Sequence, residues 1–129
     1  MTSYLSVEQL LHIHEAQIEQ FGGSGGLRDR GGLESAAARP AMTFGGEDLY
    51  PDLASKTAAL MHSLVMNHTF VDGNKRVGAA AAELFVLLNE SRLDASDSEL
   101  EDLTLAVARG EMDVEPLTIW LRQRLARTD

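Results

Sequence analysis

Apolar residues recur at helical spacing along most of the chain, and the breaks in that rhythm mark its elements. Val7, Leu10, Leu11, His14, Ile18 and Phe21 fall on one face of a first helix. Ser6 and Gln9 supply a capping box at its start, and the helix runs to about Phe21. Gly22-Gly23-Ser24-Gly25-Gly26 follows; without the Gly-Lys-Ser/Thr ending of a phosphate loop, it reads as flexible punctuation. Residues 27–35 lead into a short Ala-rich helix that Arg39-Pro40 ends, because proline disfavours helix in the residue before it. Residues 42–50 set short apolar or β-favouring arms around Gly45-Gly46, a hairpin signal that stops at Pro51. A ribbon this small needs helices to lean on or a partner's strand to complete it, and an ordinary surface turn is the other reading.

Asp52 caps the next helix, where Leu53, Thr57, Leu60, Met61, Leu64 and Val65 keep the helical period. Val77, Ala80, Ala81, Leu84, Phe85 and Leu88 repeat it in the following helix, which Asn89 stops. Its run of small residues, Gly78 to Ala82, lets neighbours approach closely and predicts the central, most buried helix. A capping box of Ser96 and Glu99 opens a helix with Leu100, Leu103 and Val107 inward, and Gly110 ends it. Asp113 opens the last helix, anchored by Leu117, Trp120, Leu121 and Leu125, with Arg122, Arg124 and Arg127 suiting the dipole of its final turns. The sum is an all-α fold of about six helices with a small β-hairpin flap. A length of 129 residues and 44% hydrophobic content predict a single domain over residues 1–129.

The chemistry gathers where polar residues separate the two most apolar helices, at His68-Thr69-Phe70-Val71-Asp72-Gly73-Asn74-Lys75-Arg76-Val77-Gly78. Such a corner makes Gly73 the relaxed backbone before the second helix and Asn74 its cap. The first-turn N–H groups then point into the loop, where an anion fits. Lys75 and Arg76 oppose the helix dipole at about 0.3–1 kcal/mol each, a penalty that a bound phosphate would offset. Histidine is a residue type suited to proton transfer, which makes His68 the candidate base, and Asp72 is a hard oxygen ligand suited to the Mg2+ that accompanies a nucleotide. Base, metal ligand and anion cradle together describe phosphoryl or nucleotidyl transfer. Taken singly, the same residues read as a loop histidine, an N-terminal helix acid and solvated charges. His62 lies off the apolar stripe, which predicts a solvent-facing or supporting place, and His14 reads as a core-edge residue.

Charge and composition narrow the class. A formal charge of -9 argues against a nucleic-acid binder, since phosphate backbones are held by basic surfaces. The chain has no cysteine, which removes disulfides, thiol catalysis and cysteine zinc sites. No run has the length of a membrane span and no signal-peptide layout opens the chain, so the expectation is a cytoplasmic protein without membrane contact.

The run His-x-Phe-x-Asp-Gly-Asn-Lys-Arg resembles the signature of the Fic/Doc (Fido) family, in its death-on-curing branch, and residues 27–35 resemble that branch as well. The resemblance implies a Fido-type helical domain that uses ATP and Mg2+. His68 would take the proton of a target hydroxyl, Phe70 would pack inward, and Asp72 would hold the metal. Gly73 and Asn74 would contribute to the anion hole, and Arg76 would contact phosphate. Lys75 stands where AMP-transferring members have glycine, and Ala79 where they have a second arginine. Both departures point away from AMP transfer, and the lysine is the mark of the death-on-curing branch, which implies a kinase-like γ-phosphate transfer onto a Ser/Thr hydroxyl. AMP or other nucleotidyl transfer, or a catalytically silent antitoxin-binding module, are the alternatives. Thr69 replaces a proline of the AMP-transfer pattern, and Gly73 an alanine of the death-on-curing toxin.

The partners so implied are a target protein, with a translation elongation factor as the natural candidate, docked at the 42–50 flap, and a separate antitoxin. The chain has no Glu followed by Gly or Asn, the ending of the inhibitory helix found in many such proteins, so restraint in trans is expected.

Overall fold

The computed structural model describes residues 1–128. Among them six α-helices follow in order: α1 (Val7–Phe21), α2 (Arg30–Ala38), α3 (Leu53–Met66), α4 (Asn74–Leu88), α5 (Asp97–Ala108) and α6 (Val114–Arg124). A 3-10 turn at Arg39–Ala41 follows α2 and carries Pro40, whose missing N–H makes it a helix breaker. Strands β1 (Thr43–Phe44) and β2 (Glu47–Asp48) pair as the expected hairpin. Its two-residue turn has φ of 61° at Gly45 and 84° at Gly46, the left-handed pair that a tight hairpin needs.

The helix starts are local chemistry. Ser6 with Gln9, Asp52 with Ser55, and Ser96 with Glu99 all close capping boxes, each satisfying two donors that the helix leaves open. The hairpin, too small to stand alone, leans on α3. Lys56, 3% exposed, reaches Asp48 Oδ2 at 3.0 Å and the Pro40 carbonyl at 3.3 Å. Arg39 donates to the Tyr50 hydroxyl at 3.0 Å and to Ser63 Oγ at 2.8 Å.

The central helix is α3, not α4. From Ala54 to Val65 every residue except half-buried His62 is buried, because α2, α4, α5 and α6 all pack on α3. Helix α4 buries one face, Val77, Gly78, Ala81, Ala82, Phe85 and Val86, and leaves Leu87 and Leu88 exposed. Its small residues serve one close crossing rather than several. A Cβ on Gly78 would lie 2.5 Å from Val65 Cγ2.

The last helix also stops earlier than its periodicity suggests. Leu125–Arg127 leave α6 as strand β4, which pairs antiparallel with β3 (Ser91–Leu93), Leu93 opposite Leu125. Leu125 and Arg127 are therefore strand residues. Arg122 and Arg124 are held by tertiary partners: Arg122 Nη2 lies 2.8 Å from Asp52 Oδ2, and the Arg124 guanidinium 4.0 Å from the Trp120 ring centre. Among the described residues no helix is long and apolar enough to cross a membrane.

The α3–α4 crossing is testable. Alanine favours helix over glycine by about 1 kcal/mol, but crowding buried, β-branched Val65 costs about 1–3 kcal/mol. Gly78→Ala is expected to lower the thermal midpoint followed by circular dichroism, and Val65→Ala in the same chain to recover part of the loss. A higher midpoint for Gly78→Ala alone would contradict the crossing.

Candidate active site

The chain between α3 and α4 forms no helix and no strand beyond an isolated antiparallel bridge of Phe70 with Leu27, so its buried backbone groups need partners from elsewhere. It turns at His68, whose φ of 50° is left-handed, a conformation that histidine tolerates better than most side chains. Thr69 and Phe70 are then buried, and Val71 and Asp72 return to the surface.

Three elements hold this loop. From α4, the Asn74 side chain accepts from the Phe70 N–H at 3.0 Å and donates to the Phe70 carbonyl at 3.0 Å. From the segment before α2, Arg28 and Asp29 donate N–H groups to the Thr69 carbonyl at 2.8 and 3.0 Å, and the Gly26 carbonyl accepts from Val71 at 3.1 Å. From α1, the buried His14 ring lies parallel to Phe70, with centroids 3.8 Å apart and 6° between planes. His14 Nε2 is 2.8 Å from the Asp72 carbonyl oxygen. The Thr69 hydroxyl is buried without a hydrogen-bond partner among the described residues, so this residue ties the loop through its carbonyl.

Asn74 is thus not the cap of α4 but its first residue, and its carboxamide closes the loop behind it. Gly73 occupies the cap position with φ of 81°, and no side chain caps the helix. The first helical bond runs from the Val77 N–H to the Gly73 carbonyl at 3.0 Å. The backbone N–H groups of Asn74, Lys75 and Arg76 therefore have no helical acceptor, and they carry the positive end of the helix dipole.

Asp72 faces this end. Its carboxylate accepts from the Ser24 N–H at 3.2 Å and from the Gly73 N–H at 2.8 Å. Those two bonds, Ser24 first, hold its pKa below the usual carboxylate range, and the nearby Arg76 and His14 add to the effect. Arg76 Nη2 donates to the Gly22 carbonyl at 3.1 Å, with its guanidinium 5.7 Å from the Phe21 ring centre. The glycine loop is hence more than punctuation. Gly23 has φ of 116°, and a Cβ there would lie 2.6 Å from Asp72 Oδ2, so only glycine lets this loop reach the carboxylate.

All six residues nominated from sequence, His68, Asp72, Gly73, Asn74, Lys75 and Arg76, line one cleft of about 410 Å3, walled by Val65, Val71 and Ala108. His68 and Lys75 are exposed to it. A second cavity, about 350 Å3 and lined by residues including Glu99, Trp120 and Arg124, contains none of them. Among the described residues Asp72 is the only carboxylate lining the cleft, and no group of three or more metal-binding side chains occurs. This donor set does not fit a cage made by protein alone. It fits Mg2+, which keeps waters and phosphate oxygens and takes one or two carboxylates from the protein.

Sequence reading missed His14, Gly23 and Ser24. A signal existed for His14: it sits in the Leu10-His14-Ile18 stripe, and a histidine on an apolar stripe needs a buried acceptor. Ser24 acts through its backbone, which leaves no trace in residue type.

A family model described as the Fic/DOC family matches residues 4–86, a span that includes α1, the glycine loop and the whole motif. A protein named Toxin Doc from Mycolicibacterium smegmatis is 43% identical over 119 residues, 91% of this chain and 89% of the relative. A protein named Protein kinase doc from Escherichia phage P1 is 32% identical over 120 residues, 93% of this chain and 94% of the relative.

Removing the Asn74 clasp should be costly. Asn74→Ala leaves the N–H and carbonyl of Phe70 without partners, and the expected loss of stability is about 1–3 kcal/mol. Urea unfolding checks it: the midpoint falls with an unchanged slope, whereas an unchanged midpoint would mean that the loop is held without the clasp.

Proposed function

The chain belongs to the Fic/DOC family, in its Doc toxin branch, and from that premise we propose that it transfers the γ-phosphate of ATP to a Ser or Thr hydroxyl of a cellular protein. The observation that carries this reading is the cleft, where a histidine, an ionised carboxylate, two cations and the open end of a helix share one surface.

His68 takes the proton of the acceptor hydroxyl. The oxygen forms a bond to the γ-phosphorus, the bond from that phosphorus to the β-phosphate oxygen breaks, and ADP leaves with the electron pair. The N–H groups of Asn74, Lys75 and Arg76 and the side chains of Lys75 and Arg76 receive the phosphate charge. A guanidinium has five N–H donors, so the bond from Arg76 to Gly22 leaves others free for phosphate. Asp72 is the residue that would hold Mg2+, which supplies neutralisation of the phosphate oxygens when bound. Asn74 acts through its backbone here, since its side chain is committed to Phe70, and Gly73, whose N–H donates to Asp72 Oδ1, shapes the turn through its left-handed φ. Lys75 and Ala79, where AMP-transferring members carry glycine and arginine, count against AMP transfer by the same cleft.

The hairpin over residues 42–50 is the proposed docking edge for the target, which adds a strand beside it. Phe44 at its turn is 82% exposed, while Asp48 and Tyr50 are tied to Lys56 and Arg39. A translation elongation factor is the candidate target. The chain acts in this reading as a single cytoplasmic domain, restrained by a separate antitoxin, in keeping with relatives named Toxin Doc and Protein kinase doc.

The test is incubation of the protein with host lysate and ATP labelled on either the α- or the γ-phosphate. Label from the γ-position is expected on a protein band, and its transfer should disappear in a folded His68→Ala variant. Label transferred only from the α-position would replace phosphorylation by AMP transfer, and an undiminished signal in His68→Ala would remove that histidine from the reaction.

A further inference from the structure

Buried His14 has no place in the transfer step, yet it makes the one polar contact between α1 and the turn that presents Asp72. Its ring packs flat on Phe70, and its Nε2 lies 2.8 Å from the Asp72 carbonyl oxygen. A carbonyl only accepts, so this nitrogen carries the proton. A leucine or phenylalanine would fill the same apolar stripe without the cost of burying a polar ring, and the Asp72 carbonyl is the acceptor that offsets that cost.

The Asp72 carbonyl and the Gly73 N–H belong to one planar trans peptide, on opposite sides of it. Fixing the carbonyl toward His14 therefore aims the N–H away from α1. That N–H is the group that donates to Asp72 Oδ1 at 2.8 Å. The chain of constraint runs from His14 through the peptide plane to the Asp72 carboxylate. Gly73, at φ of 81°, is free to let the plane rotate if nothing holds it. Ile18 and His14 crowd the glycine at 3.3 and 3.7 Å from an added Cβ, so the turn sits directly on this face of α1.

We propose that His14 is a positioning residue that locks the Asp72–Gly73 peptide and so holds the Asp72 carboxylate toward the metal-bearing nucleotide. The metal half of this statement rests on the function proposed above; the lock on the peptide does not.

Two variants separate packing from hydrogen bonding. His14→Phe keeps a flat ring against Phe70 and loses the donor, while His14→Gln loses the ring and keeps an N–H within reach. Amide hydrogen exchange of Gly73, read by NMR on nucleotide-free protein, reports the lock; calorimetry with Mg2+-ATP reports its consequence. In His14→Phe the Gly73 amide is expected to exchange faster and Mg2+-ATP affinity to fall by about 10–100-fold. His14→Gln is expected to stay closer to the parent in both. Parental exchange and affinity in His14→Phe, or equal losses in the two variants, would overturn the proposal. Should His14→Phe fail to fold, His14→Gln decides alone: parental exchange supports the lock and accelerated exchange overturns it. A parent protein that does not bind Mg2+-ATP refutes the proposed function, while Gly73 exchange still judges the role of His14.

Discussion

The peptide groups of residues 68–73 are the constraint on which the site depends. A chain that leaves one helix and enters another within a few residues, partly buried, cannot pair its N–H and carbonyl groups with itself. Here the groups that hold the turn are paired by different parts of the fold: both groups of Phe70 by Asn74, the Thr69 carbonyl by Arg28 and Asp29, the Val71 N–H by Gly26, and the Asp72 carbonyl by His14. The result is a turn fixed from three sides, with the amides of Asn74 to Arg76 left open on the fourth. Preorganised donors of this kind need not reorient when charge arrives, which is what makes them useful at a reacting phosphate.

Electrostatics follow the same geometry. The positive end of α4 lines the cleft, and Arg76 joins it to the carbonyl end of α1 by donating to Gly22. A cation at the start of α4 is unfavourable there and favourable at the end of α1, so the second contact offsets part of the first. Lys75 has no such compensation among the described residues, since it belongs to none of the ion pairs and faces the cleft. The site is locally cationic in a chain whose formal charge is -9.

What could be read from sequence was what is local. Capping boxes close within four residues, so Ser6, Ser96 and Asp52 announced their helices, and the run from His68 to Arg76 placed all six nominated residues in one cleft. What escaped depends on distant pairing. The contact of His14 with Asp72 spans 58 residues and that of Ser24 with Asp72 spans 48, and no periodicity reports either. The strand at Leu125–Arg127 continues the apolar rhythm of α6, and only its pairing with Ser91–Leu93 makes it extended. Burial misled for a related reason: small residues in α4 signal one close approach, whereas α3 is central because helices pack around it.

The central claim is that nucleotide phosphates are received by the open first-turn amides of α4 in a turn already formed. It is tested most directly by titrating isotope-labelled protein with Mg2+ and a non-hydrolysable ATP analogue while following backbone amides by NMR. The largest shifts should fall on Asn74, Lys75 and Arg76, with the amides of Arg28 and Asp29, which hold the loop from behind, nearly unmoved. Shifts centred instead on the cavity of Glu99, Trp120 and Arg124, or a silent Asn74–Arg76 turn at saturation, would contradict it.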